Sequence, residues 1–431
     1  MSRPAPSLYR LYVRATGLLL PLAFRTVAGK LRAAGVSEPR IRERLGEASL
    51  PRPEGPLIWF HAASVGESLS VLTLISRLGE RLPAHRFLIT SGTATSAVLV
   101  GKRLPPRTQH QFAALDAPGP VARFLDHWRP QAAVFVESEL WPLSLVETRK
   151  RGARLALLNA RLSDKSVRGW SRWPETARFV LDQFDVMIAQ NRDGAENLRA
   201  MGADPARLTL GVNLKSTSDP LPVDEAALTA FRAGLDGRPL WIASSTHEGE
   251  EETVLAAHRR LLERHPDLCL ALIPRHPERG DAVVRLVAQA GLSCARRSTG
   301  EALAGQQVYL ADTLGETGTW YAACPIVFLG GSLREIGGHN PFEPAQAGAA
   351  VLTGPGYFNF SETFAPLLAQ GGAVEVRDAD SLAAAVARWL TRPEELQAAR
   401  EAARGLVASR QDALERIVDT LLAALGLEAR A

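Results

Sequence analysis

From Leu57 onward the chain alternates short apolar runs with longer stretches of helical period. The runs LIWFHAA (57–63), RFLITSG (86–92), QFAALD (111–116), AAVFVES (132–138), ARLALLNAR (153–161), VMIAQ (186–190) and Leu208 to Lys215 read as buried strands. Most intervals between them hold one helix. A segment rich in Ser, Asp and Pro follows, STSDPLPVDEAAL, and reads as a linker. The pattern then restarts with LWIASST (240–246), CLALIPR (269–275), QVYLAD (307–312), IVFLGGS (326–332) and AVLTGP (350–355). From about Asp380 the tail is Ala-, Leu- and Arg-rich and helical. Continuous apolar strands separated by helices predict parallel sheets covered on both faces. The expected fold class is therefore α/β, with two successive doubly wound domains. Ligands of such sheets bind beyond the carboxyl ends of the strands, which predicts a cleft shared by the two domains.

The first residues follow a different pattern. Leu8, Leu11, Tyr12, Ala15, Leu18, Leu19 and Leu22 recur at helical spacing, with Arg10, Arg14, Pro21 and Arg25 on the other face. The longest uncharged run, Ala15 to Phe24, is ten residues, too short for a membrane crossing that needs about 20. An apolar face bordered by arginines suits an in-plane or short membrane anchor. A full span, or a helix packed on the protein's own core, are the alternatives. The expected domains are an anchor at 1–35, a first Rossmann-like domain at 36–215 and a second at 216–431 that includes the tail.

Composition changes this picture little. The 431 residues suit two domains, and 46% hydrophobic content can bury two cores. The net charge of +4 is concentrated at the start: residues 1–32 carry six basic side chains and no acidic one. Net charge alone permits nucleic acid, an anionic membrane or an anionic substrate, and its placement assigns the basicity mainly to the N-terminus. The three cysteines, Cys269, Cys294 and Cys324, match no metal or redox spacing. The nine histidines are scattered, with no H-E-x-x-H, and the one D-x-D, Asp378-Ala379-Asp380, lies at the start of the helical tail, so no metal is expected.

The unusual residues follow the strands. In HAASVGE (61–67), Glu67 stands near a helix start. It is either a carboxylate complementing the helix dipole or a general base. In VFVESELWP (134–142), Glu137 and Glu139 crowd a strand end, where like charges resist joint ionisation. Arg161 and Lys165 in NARLSDKS (159–166) either answer those glutamates or bind an anionic substrate. Lys215 in GVNLKS either points into the cleft or is a solvated linker residue. In LIPRHPER (272–279), Arg275 offers a planar fork for phosphate. FLGGSLREIGGHNPFEPAQAG (328–348) joins a strand to a helix through two glycine pairs. Such a turn suits phosphate, with Glu343 able to reach a ribose.

Seven motifs in this order, HAASVGE, ESELWP, NARLSDKS, IASSTHEGEEE, LIPRHPER, DTLGE and GGSLREIGGHNPFEP, resemble the Kdo (3-deoxy-D-manno-octulosonic acid) transferases of Gram-negative bacteria. The resemblance covers residues of about 57–375. It implies a GT-B fold, two Rossmann-like domains facing a cleft, with an N-terminal membrane-anchoring helix. It implies an inverting transfer of Kdo from CMP-Kdo to the lipid A precursor lipid IVA, in lipopolysaccharide synthesis at the cytoplasmic face of the inner membrane. Lipid IVA and inner-membrane lipids would be its partners, CMP-Kdo its donor, and no cofactor or metal is implied. By matching position, Glu67 would be the base, and Glu137 and Lys215 would assist the transition state. Pro274, Arg275, Leu314, Gly315, Glu316, Asn340, Pro341, Phe342 and Glu343 would contact CMP. Ser216-Thr217 and Val212 depart from the family pattern around Lys215. The alternative is another GT-B transferase or an epimerase acting on a UDP-sugar.

Overall fold

The computed structural model describes residues 4–214, 217 and 220–427. The chain divides into two compact units, Met1–Ser218 with Gln411–Ala431, and Asp219–Arg410.

The first unit is built on a seven-stranded sheet. Its strands are β1 (Leu57–His61), β2 (Arg86–Ser91), β3 (Thr108–Phe112), β4 (Ala132–Val136), β5 (Arg154–Ala160), β6 (Val186–Ala189) and β7 (Leu208–Leu210). They lie in the order β3-β2-β1-β4-β5-β6-β7, all parallel. The chain winds outward from β1, then returns to β4, so the winding direction reverses between those two strands. Every residue of β1, β4 and β6 is buried. Because side chains alternate, Trp59, Phe135 and Leu157 enter the core on one face and Phe60, Val134 and Leu158 the core on the other. The expected strand at 111–116 ends at Phe112. Ala113 to Asp116 leave the sheet because Leu115 N–H turns to the Arg44 carbonyl.

The second unit repeats the architecture with β8 (Leu240–Thr246), β9 (Cys269–Pro274), β10 (Cys294–Arg296), β11 (Val308–Leu310), β12 (Ile326–Leu329), β13 (Ala350–Thr353) and β14 (Ala373–Glu375). The order is β10-β11-β9-β8-β12-β13-β14, again parallel, and the reversal falls between β8 and β12. The two three-residue edge strands β10 and β14 escaped the sequence pattern, being too short to show a period.

The N-terminal helix is longer than its uncharged run suggested. Ser7–Ala33 forms one helix of 27 residues, long and apolar enough to cross a membrane. At 1.5 Å per residue it measures about 40 Å. Its register differs from the expected one. Tyr9, Tyr12, Val13, Ala28 and Leu31 pack on the first unit, and the Tyr12 hydroxyl donates to Asp116 at 2.8 Å. Leu11, Leu18, Leu19 and Leu22 remain 58–81% exposed. The helix thus has two apolar faces, one docked and one bare. The C-terminal helix, Pro393–Leu425, also serves two cores. Ala399, Ala403 and Leu406 complete the second unit's core, whereas Leu414, Ile417, Val418 and Leu421 enter the first unit's. The expected grouping of the whole tail with the second domain therefore stops at Arg410.

Candidate active site

In the first unit the motif residues gather where β1, β4 and β5 end. Ser64 caps the helix Val65–Ser70. Glu67 Oε1 accepts from the Ser64 hydroxyl at 2.8 Å, and the Ser64 Oγ accepts from Glu67 N–H at 3.3 Å. Glu67 Oε2 accepts from Ala63 N–H at 2.8 Å. The carboxylate is thus fixed on the rim of the strand end rather than free to swing, as in a capping arrangement. Its pKa is raised, first by burial and then by the charges of Glu139 and Glu137. The helix-capping group and the base expected from the resemblance are here the same carboxylate.

The two glutamates of ESELWP have different surroundings. Glu137 holds a left-handed backbone (φ 55°), as does Asn159 one strand away (φ 53°). Asn159 Nδ2 donates to Glu137 at 3.4 Å, and Asn159 Oδ1 accepts from Leu214 N–H at 3.3 Å. The asparagine therefore ties Glu137 to the residue preceding Lys215. Lys215 itself lies outside the described residues. Glu139 faces His61, 3.2 Å from Nε2, and accepts from the Trp141 indole. Burial works to raise its pKa, but the His61 and Trp141 contacts prevail and lower it. Arg161 and Lys165 are exposed.

In the second unit the glycine-rich turn holds a surprise for the sequence reading. The N–H groups after its first glycine pair are already occupied. Glu250, fully buried, accepts from Gly331 N–H (2.6 Å), Ser332 N–H (3.0 Å), Leu333 N–H (2.9 Å) and His247 N–H (3.0 Å). An internal carboxylate takes up the N–H groups that follow the first glycine pair. The second glycine pair serves packing. A Cβ on Gly337 would lie 2.0 Å from Asn359 Nδ2, and one on Gly338 would lie 2.9 Å from Tyr357 Cα.

Cationic and polarisable groups gather beside that turn instead. Arg275 leaves the end of β9 exposed, its N–H held by the Thr246 carbonyl, and Pro274 before it is buried. His247 and His339 stack at 5.2 Å with their Nε2 atoms 2.9 Å apart, and His276 meets His247 at 5.6 Å. Burial, then the neighbouring charges, push His339 down to about 4, and His247 is lowered as well. The histidines looked scattered in sequence. Three of them converge because they follow β8, β9 and β12, neighbours in space. Asn340 Oδ1 caps Phe342 N–H at 3.1 Å, Phe342 is fully buried, and Glu343 lies in the first turn of the five-residue helix Phe342–Gln346. Leu314 is 80% exposed and Gly315 has a left-handed backbone. Glu316 is bound to Arg297 at 2.5 Å, the contact that lowers its pKa most.

Comparison with known proteins bears on the family and the fold. Residues 39–218 match the family model described as 3-deoxy-D-manno-octulosonic-acid transferase, and residues 237–406 match glycosyl transferases group 1. A 3-deoxy-D-manno-octulosonic acid transferase of Haemophilus influenzae is 34% identical over 90% of this chain and 92% of its own. The Rickettsia felis protein of the same name is 34% identical over 87% of this chain and 80% of its own. Among solved structures, a putative UDP-N-acetylglucosamine 2-epimerase from Listeria monocytogenes shares the fold. Its TM-score is 0.55 at 14% identity, covering 86% of this chain and 96% of that one. That likeness carries the GT-B architecture, while the chemistry follows the sequence relatives. The chain belongs to the 3-deoxy-D-manno-octulosonic acid (Kdo) transferase family, as a glycosyltransferase of GT-B fold.

Proposed function

We propose that the chain moves Kdo from CMP-Kdo to lipid IVA with inversion, using Glu67 as general base. Glu67 takes the proton of a glucosamine hydroxyl. The oxygen attacks the anomeric carbon of Kdo, and CMP departs from the opposite face with the bonding electron pair. The observation that carries this reading is the state of Glu67. Its carboxylate is fixed by Ser64 and Ala63 and its proton affinity is raised by burial and two neighbouring glutamates. Raised affinity makes a better proton acceptor near neutral pH. Glu137 and Lys215 assist as the transition state develops.

CMP is met by Pro274 and Arg275, by Leu314, Gly315 and Glu316, and by Asn340, Pro341, Phe342 and Glu343. Arg275 and its histidine neighbours support donor binding at the carboxyl ends of β8 and β9. Donors positioned before the step stabilise charge on the departing phosphate, without a metal. The bare leucine face of the N-terminal helix supports attachment to the inner membrane, at its cytoplasmic side. Glu67→Ala tests the assignment. Transfer falls about 100-fold or more, while CMP affinity in calorimetry is unchanged. Wild-type turnover in that variant removes Glu67 from the chemistry.

A further inference from the structure

One pocket of the first unit holds a cation that none of the roles above uses. It opens at the carboxyl ends of β1 to β4 around a cavity of about 80 Å³. Trp59, Phe135 and Trp141 form much of its apolar wall, and His61, Glu139 and Arg44 supply polar groups. Arg44 arrives from the short turn Glu43–Leu45, whose Glu43 is fully buried and accepts from Phe112 N–H at 2.7 Å. That anchorage fixes the backbone from which Arg44 extends.

The guanidinium is undercompensated. Its Nη1 donates to the Ala113 carbonyl, and its buried Nε makes no hydrogen bond among the described residues. No carboxylate lies within ion-pair distance of it among those residues, and burial alone pulls its pKa down to about 10. It remains charged at neutral pH. The acids nearby are already engaged. Asp116 accepts from Leu143 N–H, Ser144 N–H, the Ser144 hydroxyl and Tyr12, and Glu139 is held by His61 and Trp141. A half-buried charge met only by a carbonyl costs stability that a ligand's counter-charge would offset.

We propose that this pocket is a subsite for the anionic group of a saccharide acceptor, with Arg44 as its cationic ligand. The group is a carboxylate or a phosphate ester, either of which matches the guanidinium fork. Trp141, 42% exposed at the rim, gives the sugar ring an apolar face to lie on. Glu139 receives His61 and Trp141 on Oε2, which leaves Oε1 to take one of the sugar's hydroxyls. The proposal rests on reading the first unit as the acceptor side. It places the acceptor beside Ala63, whose N–H holds the Glu67 carboxylate.

Arg44→Met and Arg44→Lys in the full chain test it. At saturating donor, Arg44→Met raises the acceptor KM about tenfold or more. CMP affinity stays within about twofold, and Arg44→Lys recovers part of the loss. The Tm of the unliganded Arg44→Met protein is unchanged or higher, because a costly buried charge is gone. An unchanged acceptor KM in Arg44→Met, or a lowered Tm with equal loss in Arg44→Lys, overturns the proposal, the latter by making Arg44 structural. Acceptors with and without phosphate separate the two sources. If wild type and Arg44→Met differ only on the phosphorylated acceptor, phosphate is the anion. If they differ only on an acceptor already bearing an acidic sugar, a carboxylate is. Should the wild type transfer no Kdo at all, the proposed function fails. The pocket is then judged by thermal shift with glucosamine 4-phosphate against neutral glucosamine. Stabilisation of wild type but not Arg44→Met by the anionic sugar upholds it, and equal shifts overturn it.

Discussion

A buried carboxylate that accepts four backbone N–H groups is costly to remove, because each donor left unpaired loses its solvation and gains nothing. Glu250 is in that position with Gly331, Ser332, Leu333 and His247. Glu250→Ala lowers stability by about 3 kcal/mol or more, read as a fall in denaturant midpoint, and weakens CMP binding as the turn loosens. A stability loss below about 1 kcal/mol contradicts the account of the turn. Glu67 carries the complementary prediction for pH. Its pKa is raised by burial and then by the charge of Glu139. As the proposed base, Glu67 works when ionised, so activity is expected to fall as pH drops through that pKa. Replacing Glu139 by Gln removes one raising charge, and the acidic limb of kcat/KM moves to lower pH. A limb that stays fixed or moves upward shows that Glu139 does not set the affinity of the base.

At the scale of elements, the N-terminal helix docks by one face and leaves a leucine face bare, the face proposed for membrane attachment. Leu18→Asp with Leu22→Asp places charge on the bare face. Binding to anionic vesicles drops while Tm is held. Tyr12→Phe removes the bond to Asp116 and costs about 1 kcal/mol, with vesicle binding retained. A Tm collapse in the leucine variant shows that this face is packed after all. The sequence made most strands legible, because continuous burial on both faces writes unbroken apolar runs such as Leu57–His61 and Ala132–Val136. It hid what depends on neighbours distant in the chain. The three histidines meet only because β8, β9 and β12 are adjacent, and Glu250 fills the glycine turn from a different strand end. Arg44 carried no spacing signal at all. Ser64 and Glu67 did carry one, the S-x-x-E pattern of a capping box, which was open to reading beforehand.

For the whole molecule, the long C-terminal helix returns the chain to the unit where it began. Leu414, Ile417, Val418 and Leu421 are at most 4% exposed in the first unit's core. Deleting residues 411–431 uncovers that core, and the truncated chain loses the cooperative unfolding of its first unit and aggregates. Retention of full stability by the truncated protein contradicts the division of the chain described here. The central claim is Kdo transfer to a lipid A precursor. Mass spectrometry of lipid IVA, after incubation with the purified full chain and CMP-Kdo, tests it most directly. The account predicts product masses higher by one or more Kdo residues, absent with Glu67→Ala and absent when a UDP-sugar replaces CMP-Kdo. Unmodified lipid IVA with active donor present, or transfer from the UDP-sugar, contradicts it.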